Sequence, residues 1–492
     1  MPHLKSNPGF KTERASTNGG SSVPSIREHH PFQQVIVWSM AWIQEAEYWS
    51  SPLNCHEKLF KCIGEIGKPL GREHWLVLGA VRVEYPADID LVTHLKAAWK
   101  ILRMRYPDIA TELCADEKRY YPIFDKTQLD AWCESTFRIE ITVQSSDELL
   151  TEQLRLADTH PTCHWIPASN EICLVWSHWR WDGRGGTMLF DQLLSQLENP
   201  APLPTIFDGS EARRLIPSLD VVLEMPTDRD PNWSVRADEL IATYTQGQPS
   251  IGLPIPAERT TASPGKTRRC ELCIPAKEAT ALRQACRERG ITMTTAIQAS
   301  TIVQTARANQ TSPATRFISW LGFDLRKYCP RPFNGPIHGP SLRMLGLPIN
   351  VEARAPWHEL VRSIQPIYAQ TWPQSESDML FVRVPFVEKA TAMFQAASAV
   401  SAADDLPAPS EPYISSLGIL ERLIQERYGM IEVRKVAVKV QTLSQQVGLH
   451  LWSWKDDSYV GASYNEAYYS PADVERWLVA LKENLVRNLL SR

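Results

Sequence analysis

The sequence predicts an α/β protein of two domains, each combining long helices with a sheet of mixed strand directions. Three observations predict this fold: the chain has 492 residues, both halves alternate strand-like with helix-like segments, and a proline-rich stretch at residues 199–263 separates them. A chain of this length suits two domains of ordinary size. Strands near the C-terminus come in hairpin-like groups, which favours mixed sheets over a single doubly wound parallel sheet.

The first half of the chain predicts one domain at residues 31–225, preceded by a polar segment. Residues 1–30 lack an apolar core of the length that a signal peptide needs, and we interpret them as a flexible polar tail. Apolar runs, alternation and helical spacing predict strands at 75–83, 137–143 and 171–176 and helices at 91–106, 147–156 and 188–197.

The second half predicts a second domain at residues 226–492. Because the proline-rich stretch has little periodicity, we expect a long connection that carries one short helix near residues 235–244. In the last helix, Ser470 suits the N-cap and Pro471 suits the first helical position. Beyond the connection, the pattern predicts strands at 270–274, 316–321, 436–440, 449–454 and 459–464 and helices at 276–289, 292–308, 357–371 and from residue 471.

Composition excludes several classes of function. A net charge of -4 without any run of basic residues argues against a nucleic-acid partner. No segment approaches 18 consecutive apolar residues, so we predict no membrane span. The ten cysteines are scattered, which fits free thiols in a reducing compartment and predicts a cytoplasmic protein. Cys270 and Cys273 lie in a strand-like run and point to opposite faces, and we predict no metal site.

The most informative motif is H-x-x-x-D-G, with His178, Asp182 and Gly183 in its fixed positions. It lies between a predicted strand and a predicted helix, where a histidine can be presented to a cavity. Histidine titrates near neutral pH, so His178 is a candidate general base. Asp182 can brace the turn, and Gly183 permits close approach of the backbone. The motif therefore predicts removal of a proton from a hydroxyl or amine during acyl transfer.

The motif and its surroundings resemble the chloramphenicol-acetyltransferase-like superfamily, which includes the condensation domains of peptide synthetases. Within it, the chain is most similar to fungal stand-alone acetyltransferases of the trichothecene 15-O-acetyltransferase type. The resemblance implies two such domains arranged in a V, with His178 in an active-site tunnel between them. Besides the motif, the matching segments are residues 95–109, Asp324-Leu325-Arg326, Tyr413-Ile414-Ser415-Ser416-Leu417-Gly418, Tyr464-Asn465-Glu466 and Gly71-Arg72-Glu73-His74-Trp75.

The resemblance also assigns supporting roles to residues around the base. It implies that Asp182 pairs with Arg326 and so holds the motif turn, although Arg180, inside the motif, is a rival partner. Structural support of the active site is thus expected from Asp182, Gly183 and Arg326.

Three serines are candidates for the tunnel lining. Ser415 and Ser416 belong to the late strand of the resemblance, and Ser177 precedes the motif histidine. Condensation domains usually carry a second histidine at the position of Ser177. Its absence favours a hydroxyl acyltransferase over an amide-forming enzyme.

The leading hypothesis is an acyl-CoA-dependent O-acyltransferase that acetylates a hydroxyl of a fungal secondary metabolite such as a terpenoid. The partners are then a small-molecule alcohol acceptor and acetyl-CoA as co-substrate, without a tightly bound cofactor, and the chain is expected to be a monomer. One alternative is a stand-alone condensation domain that forms an amide or ester from a carrier-protein-bound acyl group, a donor that we do not favour. The other is a non-catalytic metabolite-binding member of the fold.

Overall fold

The computed structural model describes residues 42–369, 379–399 and 408–491. All of them belong to one compact unit, Ala41–Arg492. The polar tail predicted at residues 1–30 and the end of the helix predicted at 357–371 lie outside the described residues.

The described chain alternates helices and strands along its whole length. Its helices are α1 (Cys55–Glu65), α2 (Leu91–Arg105), α3 (Lys126–Thr136), α4 (Ser146–Glu148), α5 (Gly183–Glu198), α6 (Leu219–Val222), α7 (Pro231–Thr245), α8 (Ala276–Glu288), α9 (Met293–Ala308), α10 (Trp357–Tyr368), α11 (Met379–Ala399) and α12 (Pro471–Leu490). Its strands are β1 (Ile43–Gln44), β2 (Trp49–Pro52), β3 (Val77–Glu84), β4 (Thr111–Cys114), β5 (Glu117–Tyr120), β6 (Phe137–Ile139), β7 (Thr162–Ile166), β8 (Glu171–Trp176), β9 (Thr267–Ile274), β10 (Arg316–Asp324), β11 (Met344–Glu352), β12 (Tyr413–Ile419), β13 (Arg427–Tyr428), β14 (Ile431–Val440), β15 (Gly448–Trp454) and β16 (Asp457–Asn465).

Two six-stranded sheets organise the fold, and both mix parallel with antiparallel pairs. Sheet I has the order β13-β14-β3-β8-β7-β6 and is antiparallel except where β6 runs parallel to β7. Sheet II has the order β11-β10-β12-β15-β16-β9, with β12 parallel to both β10 and β15. A smaller antiparallel sheet has the order β1-β2-β5-β4. The mixed α/β fold class predicted from the sequence is confirmed.

The two large sheets are connected by the chain between β14 and β15. β14 lies late in the sequence but pairs with β3 in sheet I, with Val436 opposite Val81. The next strand, β15, pairs with β12 and β16 in sheet II. The second half of the chain therefore contributes strands to the sheet of the first half. The domain boundary between residues 225 and 226 stays a prediction.

Each sheet packs against helices through its own apolar core. Strand β15 contributes to both cores. Leu449 and Leu451 pack into the core of the second half, whereas Trp452 and Trp454 pack into the core of the first half. This follows from the two-residue period of a strand. The even-numbered face of β15 is thus directed toward the first half, where the H-x-x-x-D-G motif lies.

Three predicted elements differ from the structure. The strand predicted at 137–143 pairs only over β6, because β6 is an edge strand and Ile141 beyond it is 80% exposed. The helix predicted at 147–156 is only α4 followed by one π-helical turn, Leu149–Gln153. The short helix predicted at 235–244 is α7, which begins earlier, at Pro231, after the N-cap Asp230. Proline fits that first helical position, which is why the helix starts there.

Among the described residues, no helix is long and apolar enough to cross a membrane. The cysteines Cys270 and Cys273 both lie on β9, where the first is buried and the second exposed, and both are free thiols. In the same described ranges, no group of three or more histidine, cysteine or acidic side chains is arranged to hold a metal ion.

Candidate active site

The H-x-x-x-D-G motif forms a tight loop between β8 and α5. The loop turns where the Arg180 N–H donates to the Ser177 carbonyl at 3.1 Å. Trp176, at the end of β8, contacts Trp181 across the loop. Its indole nitrogen donates to the Trp181 carbonyl at 3.0 Å, and the two indole rings stack with 5.7 Å between their centroids. The loop is therefore anchored to β8 by its own tryptophans.

His178 is held by packing and not by hydrogen bonds. Its ring stacks on Phe60 of α1 with 4.4 Å between centroids and an interplanar angle of 16°, and Trp75 lies 6.1 Å away. Among the described residues, the fully buried Nδ1 of His178 has no hydrogen-bond partner. Nε2 is thus the nitrogen that is left for a substrate.

Burial also sets the charge of His178. Desolvation lowers the pKa of the imidazole below 6.5, while its own main chain and the Asp182 carboxylate act weakly in the opposite direction. The neutral form, which accepts a proton, is therefore favoured at neutral pH.

Asp182 is the best-connected side chain of the loop. Both of its carboxylate oxygens accept from Arg326 Nη1, at 3.0 and 2.9 Å, and they also accept the backbone N–H groups of Gly185 and Arg343, each at 2.9 Å. Asp182 is the N-cap of α5, where a side-chain oxygen satisfies an otherwise unpaired N–H. The Arg326 guanidinium holds the pKa of the Asp182 carboxyl below its usual range, against the opposing effect of burial. Asp182 therefore fixes the loop.

Arg326 reaches Asp182 from the end of β10 in sheet II. The pair is not the two-nitrogen fork that an arginine and a carboxylate commonly form. Nη1 alone bridges the two oxygens of Asp182, whereas Nη2 donates to the carbonyls of Gly339 and Ser341 at 3.2 and 3.0 Å. Arg326 thus ties the motif loop to two segments of the second half.

Arg180, the rival partner, points elsewhere. Its Nη1 donates to the carbonyl and hydroxyl of Thr111, and its Nη2 donates to the Thr159 carbonyl. Its guanidinium also lies over the Trp179 ring, 4.4 Å from the centroid. Arg180 therefore braces the loop from the opposite side without contacting Asp182.

The structure brings the three candidate serines to different places. Ser177 is buried, and its hydroxyl donates to Glu73 Oε2 at 3.1 Å. Ser415 is half-buried on β12 opposite His450, whereas Ser416 is exposed and its hydroxyl lies 3.2 Å from that of Thr294. A role in lining a tunnel stays a prediction for all three.

Gly183 and Gly185 allow other segments to approach the start of α5. A Cβ on Gly183 would lie 2.8 Å from Leu417 Cδ2, at the end of a side chain from β12. A Cβ on Gly185 would lie 2.3 Å from the Gly339 carbonyl oxygen and 3.0 Å from Arg326 Nη2. The close approach of the second half therefore explains these glycines, since neither one has a positive φ.

Comparison with known proteins shows similarity to fungal acetyltransferases. The chain matches no protein-family model. It is 29% identical over 467 residues to the acetyltransferase pigO of Monascus ruber, a match that covers 92% of this chain and 98% of pigO. It is 25% identical over 442 residues to the O-acetyltransferase pigM of Monascus ruber, covering 88% of this chain and 84% of pigM.

The fold is shared with a solved acetyltransferase structure. The structure of TRI3 trichothecene 15-O-acetyltransferase from Fusarium sporotrichioides superposes with a TM-score of 0.78 at 16% identity, covering 92% of this chain and 98% of TRI3. The chain is an acyltransferase with the chloramphenicol-acetyltransferase-like fold of TRI3. The family resemblance noted in the sequence is thereby confirmed.

Sequence reasoning missed the aromatic residues that surround His178. Phe60 belongs to α1, whose capping box of Asn54 and Glu57 was a readable signal for a helix start. Trp75 adopts the left-handed region with φ 61° and places its ring 5.4 Å from Tyr413 of sheet II. No local pattern predicts either contact with His178, because each depends on how distant segments pack.

The surroundings of this aromatic group are mostly apolar. One buried cluster contains Leu53, Phe60, Trp179 and Leu342, with Trp75 packed against it. Glu73 is the acidic group nearby, and burial raises the pKa of its carboxyl. The acyltransferase thus presents a neutral imidazole among apolar side chains.

Proposed function

We propose that the protein is an acyl-CoA-dependent O-acyltransferase that transfers an acetyl group from acetyl-CoA to a hydroxyl of a small secondary metabolite such as a terpenoid. The observation that carries the proposal is His178: an unpaired, desolvated imidazole on a loop that Asp182 and Arg326 fix, in a chain similar to fungal acetyltransferases. A cytoplasmic location and a monomeric state belong to the same proposal.

In the proposed reaction, His178 Nε2 accepts the proton of the acceptor hydroxyl while that oxygen attacks the thioester carbonyl carbon. The tetrahedral intermediate then collapses, the carbon–sulfur bond breaks, and the imidazolium returns its proton to the departing thiolate. The products are the acetyl ester and CoA with a free thiol, so no covalent enzyme intermediate is needed. Proton transfer by a positioned group is typically worth about 10²–10⁴-fold in rate.

The apolar surroundings of His178 support an apolar acceptor. Leu53, Phe60 and Leu342 lie in one cluster with Trp179 beside the loop. Apolar walls exclude water, and water would otherwise compete with the acceptor hydroxyl for the thioester. Charged sugars and nucleotides are therefore poor candidates for the acceptor. A polycyclic alcohol suits these apolar side chains better.

A mass-shift screen tests the proposal. Purified protein is incubated with acetyl-CoA and a panel of apolar natural-product alcohols, and in parallel with an acetylated carrier protein as donor. We expect the gain of one acetyl group from acetyl-CoA on at least one alcohol. Transfer from the carrier protein alone would identify a condensation-type enzyme instead. Tight binding of an alcohol without transfer from either donor would identify a non-catalytic binding protein.

A further inference from the structure

A second histidine, His450, lies on the face of sheet II that is directed toward the first half. It is in the middle of β15, opposite Ser415 of β12 on one side and Gly461 of β16 on the other. Its neighbours Leu449 and Leu451 pack into the core of the second half. Alternation along the strand therefore directs His450 away from that core.

Gly461, opposite His450, lacks a side chain, and the Arg269 guanidinium lies in the space that a side chain would fill. A Cβ on Gly461 would lie 2.7 Å from Arg269 Nη2. The guanidinium carbon of Arg269 lies 5.7 Å from the centroid of the Trp452 ring on the same sheet. A positive charge therefore lies next to the His450 imidazole.

An aromatic chain connects this face of sheet II to His178. Tyr413 and Ser415 are two residues apart on β12 and share the face of His450. The Tyr413 ring lies 5.4 Å from Trp75, which in turn lies 6.1 Å from His178. A charge on His178 also lowers the pKa of His450, so the two imidazoles are within electrostatic reach of each other.

His450 is a polar group that the protein itself does not use. Its side chain is 4% exposed, and no described residue forms a hydrogen bond with it. Burial, followed by the charge of Arg269, lowers the pKa of the imidazole to about 3. A histidine with so low a pKa does not act as a second base near neutral pH, but it retains one N–H donor.

We propose that His450 donates a hydrogen bond to the thioester oxygen on which negative charge develops during acyl transfer. This inference rests on the proposed function. When the acceptor oxygen attacks, the carbonyl π electrons move onto that oxygen, and they return when the carbon–sulfur bond breaks. His450 donates its N–H throughout and neither gains nor loses a proton. Removing one such donor from an acyl-transfer enzyme typically lowers kcat about 10²–10³-fold.

Two variants separate donation from packing. His450→Phe keeps an aromatic ring but lacks a donor, whereas His450→Gln keeps an N–H donor. We measure kcat and KM for acetyl-CoA with the alcohol found in the screen, and the melting temperature of each variant. We expect a fall in kcat of about 10²-fold or more in His450→Phe with KM changed less than about threefold, and a kcat within about tenfold of the wild type in His450→Gln.

The outcomes distinguish this inference from the function on which it rests. Wild-type kcat in His450→Phe overturns the role of His450 and leaves the acyltransferase intact. An equal loss of kcat in both variants, accompanied by a lowered melting temperature, also overturns it, because packing then explains the loss. If the wild-type protein transfers no acetyl group from acetyl-CoA, the proposed function and this inference both fall.

Discussion

His178 and Asp182 lie four residues apart, yet the structure gives them opposite surroundings. Asp182 is satisfied on both oxygens by Arg326 and two backbone N–H groups, whereas Nδ1 of His178 has no hydrogen-bond partner among the described residues. A fully paired carboxylate is a poor proton carrier, because its pKa is lowered. This difference supports our proposal that His178, and not Asp182, exchanges the proton.

The pH dependence of catalysis follows from the desolvation of His178. A base must be neutral, and burial lowers the pKa of this imidazole from 6.5. We expect the acidic limb of kcat/KM against pH to have its midpoint below 6.5, so that activity persists into mildly acidic solution. Rates measured with acetyl-CoA in buffers of constant ionic strength check this. A midpoint at or above 6.5 would show that another group titrates.

The buried pair of Asp182 and Arg326 predicts non-additive effects on stability. Asp182→Asn leaves the buried Arg326 charge with Asp324, 3.3 Å from Nη1, as its remaining acidic partner, and we expect the free energy of unfolding to fall by up to about 3–5 kcal/mol. The double variant Asp182→Asn/Arg326→Met removes both charges. Its loss of unfolding free energy should therefore be smaller than the summed losses of Asp182→Asn and Arg326→Met. Urea unfolding of the wild type, the two single variants and the double variant measures the coupling. Additive losses would mean that the pair has no interaction energy.

At the scale of elements, the sequence predicts long segments well and short or edge segments poorly. The helix predicted at 91–106 and the C-terminal helix are present, because apolar spacing and the caps Asp90 and Ser470 act locally. The predicted strand at 137–143 is wrong beyond β6, since an edge strand has only one neighbour to fix its length.

The residues of the candidate site also differ in whether the sequence could predict them. His178, Asp182 and Gly183 could be chosen from one motif, and Arg326 from the resemblance. Phe60, Trp75 and His450 could not, because their proximity to His178 arises only when α1, the segment before β3 and sheet II pack together.

The start of α5 predicts different effects for two glycines on one helix. Gly185→Ala places a Cβ against the fixed Gly339 carbonyl and Arg326, so we expect a loss of both stability and activity. Gly183→Ala is the matched comparison, because its Cβ would meet the ends of two side chains, Leu417 Cδ2 at 2.8 Å and Val438 Cγ1 at 3.6 Å, and no backbone atom. Thermal unfolding and acetyl transfer of the two variants test this. Equal effects would contradict the close approach of the second half at Gly185.

At the scale of the whole molecule, buried titratable groups are spread over both halves. Burial lowers the pKa of His56, His74, His160 and His450 to about 3 and that of His338 to about 4. Burial also raises the pKa of Asp108 to about 7 and that of Glu411 to about 8. The histidines must gain protons when the protein unfolds in acid, whereas the two carboxyls lose protons when it unfolds near neutral pH.

These shifts predict a stability maximum at about pH 6.5. Below it, the unfolded histidines bind more protons than the folded ones, so the free energy of unfolding falls as pH decreases from 6.5. Above it, folded Glu411 and Asp108 hold protons that the unfolded chain releases, so stability falls toward pH 8. Urea unfolding across this range measures both limbs.

Glu411 provides a direct control on the alkaline limb. Glu411→Gln removes a carboxyl that is buried against Gln446, and the decline between pH 6.5 and 8 should become shallower. Glu239→Gln, an exposed position on α7, should leave that decline unchanged. If Glu411→Gln has the same slope as the wild type, the buried carboxyl does not cause the decline.

The central claim is that His178 is the base of an acetyl transfer, and replacing it tests the claim most directly. The measurement is kcat for acetyl transfer from acetyl-CoA in His178→Ala, with His94→Ala, an exposed histidine on α2, as the matched control. We predict a loss of about 10²–10⁴-fold in His178→Ala, with a cooperative melting transition retained, and wild-type activity in His94→Ala. Wild-type turnover in a folded His178→Ala protein would contradict the account.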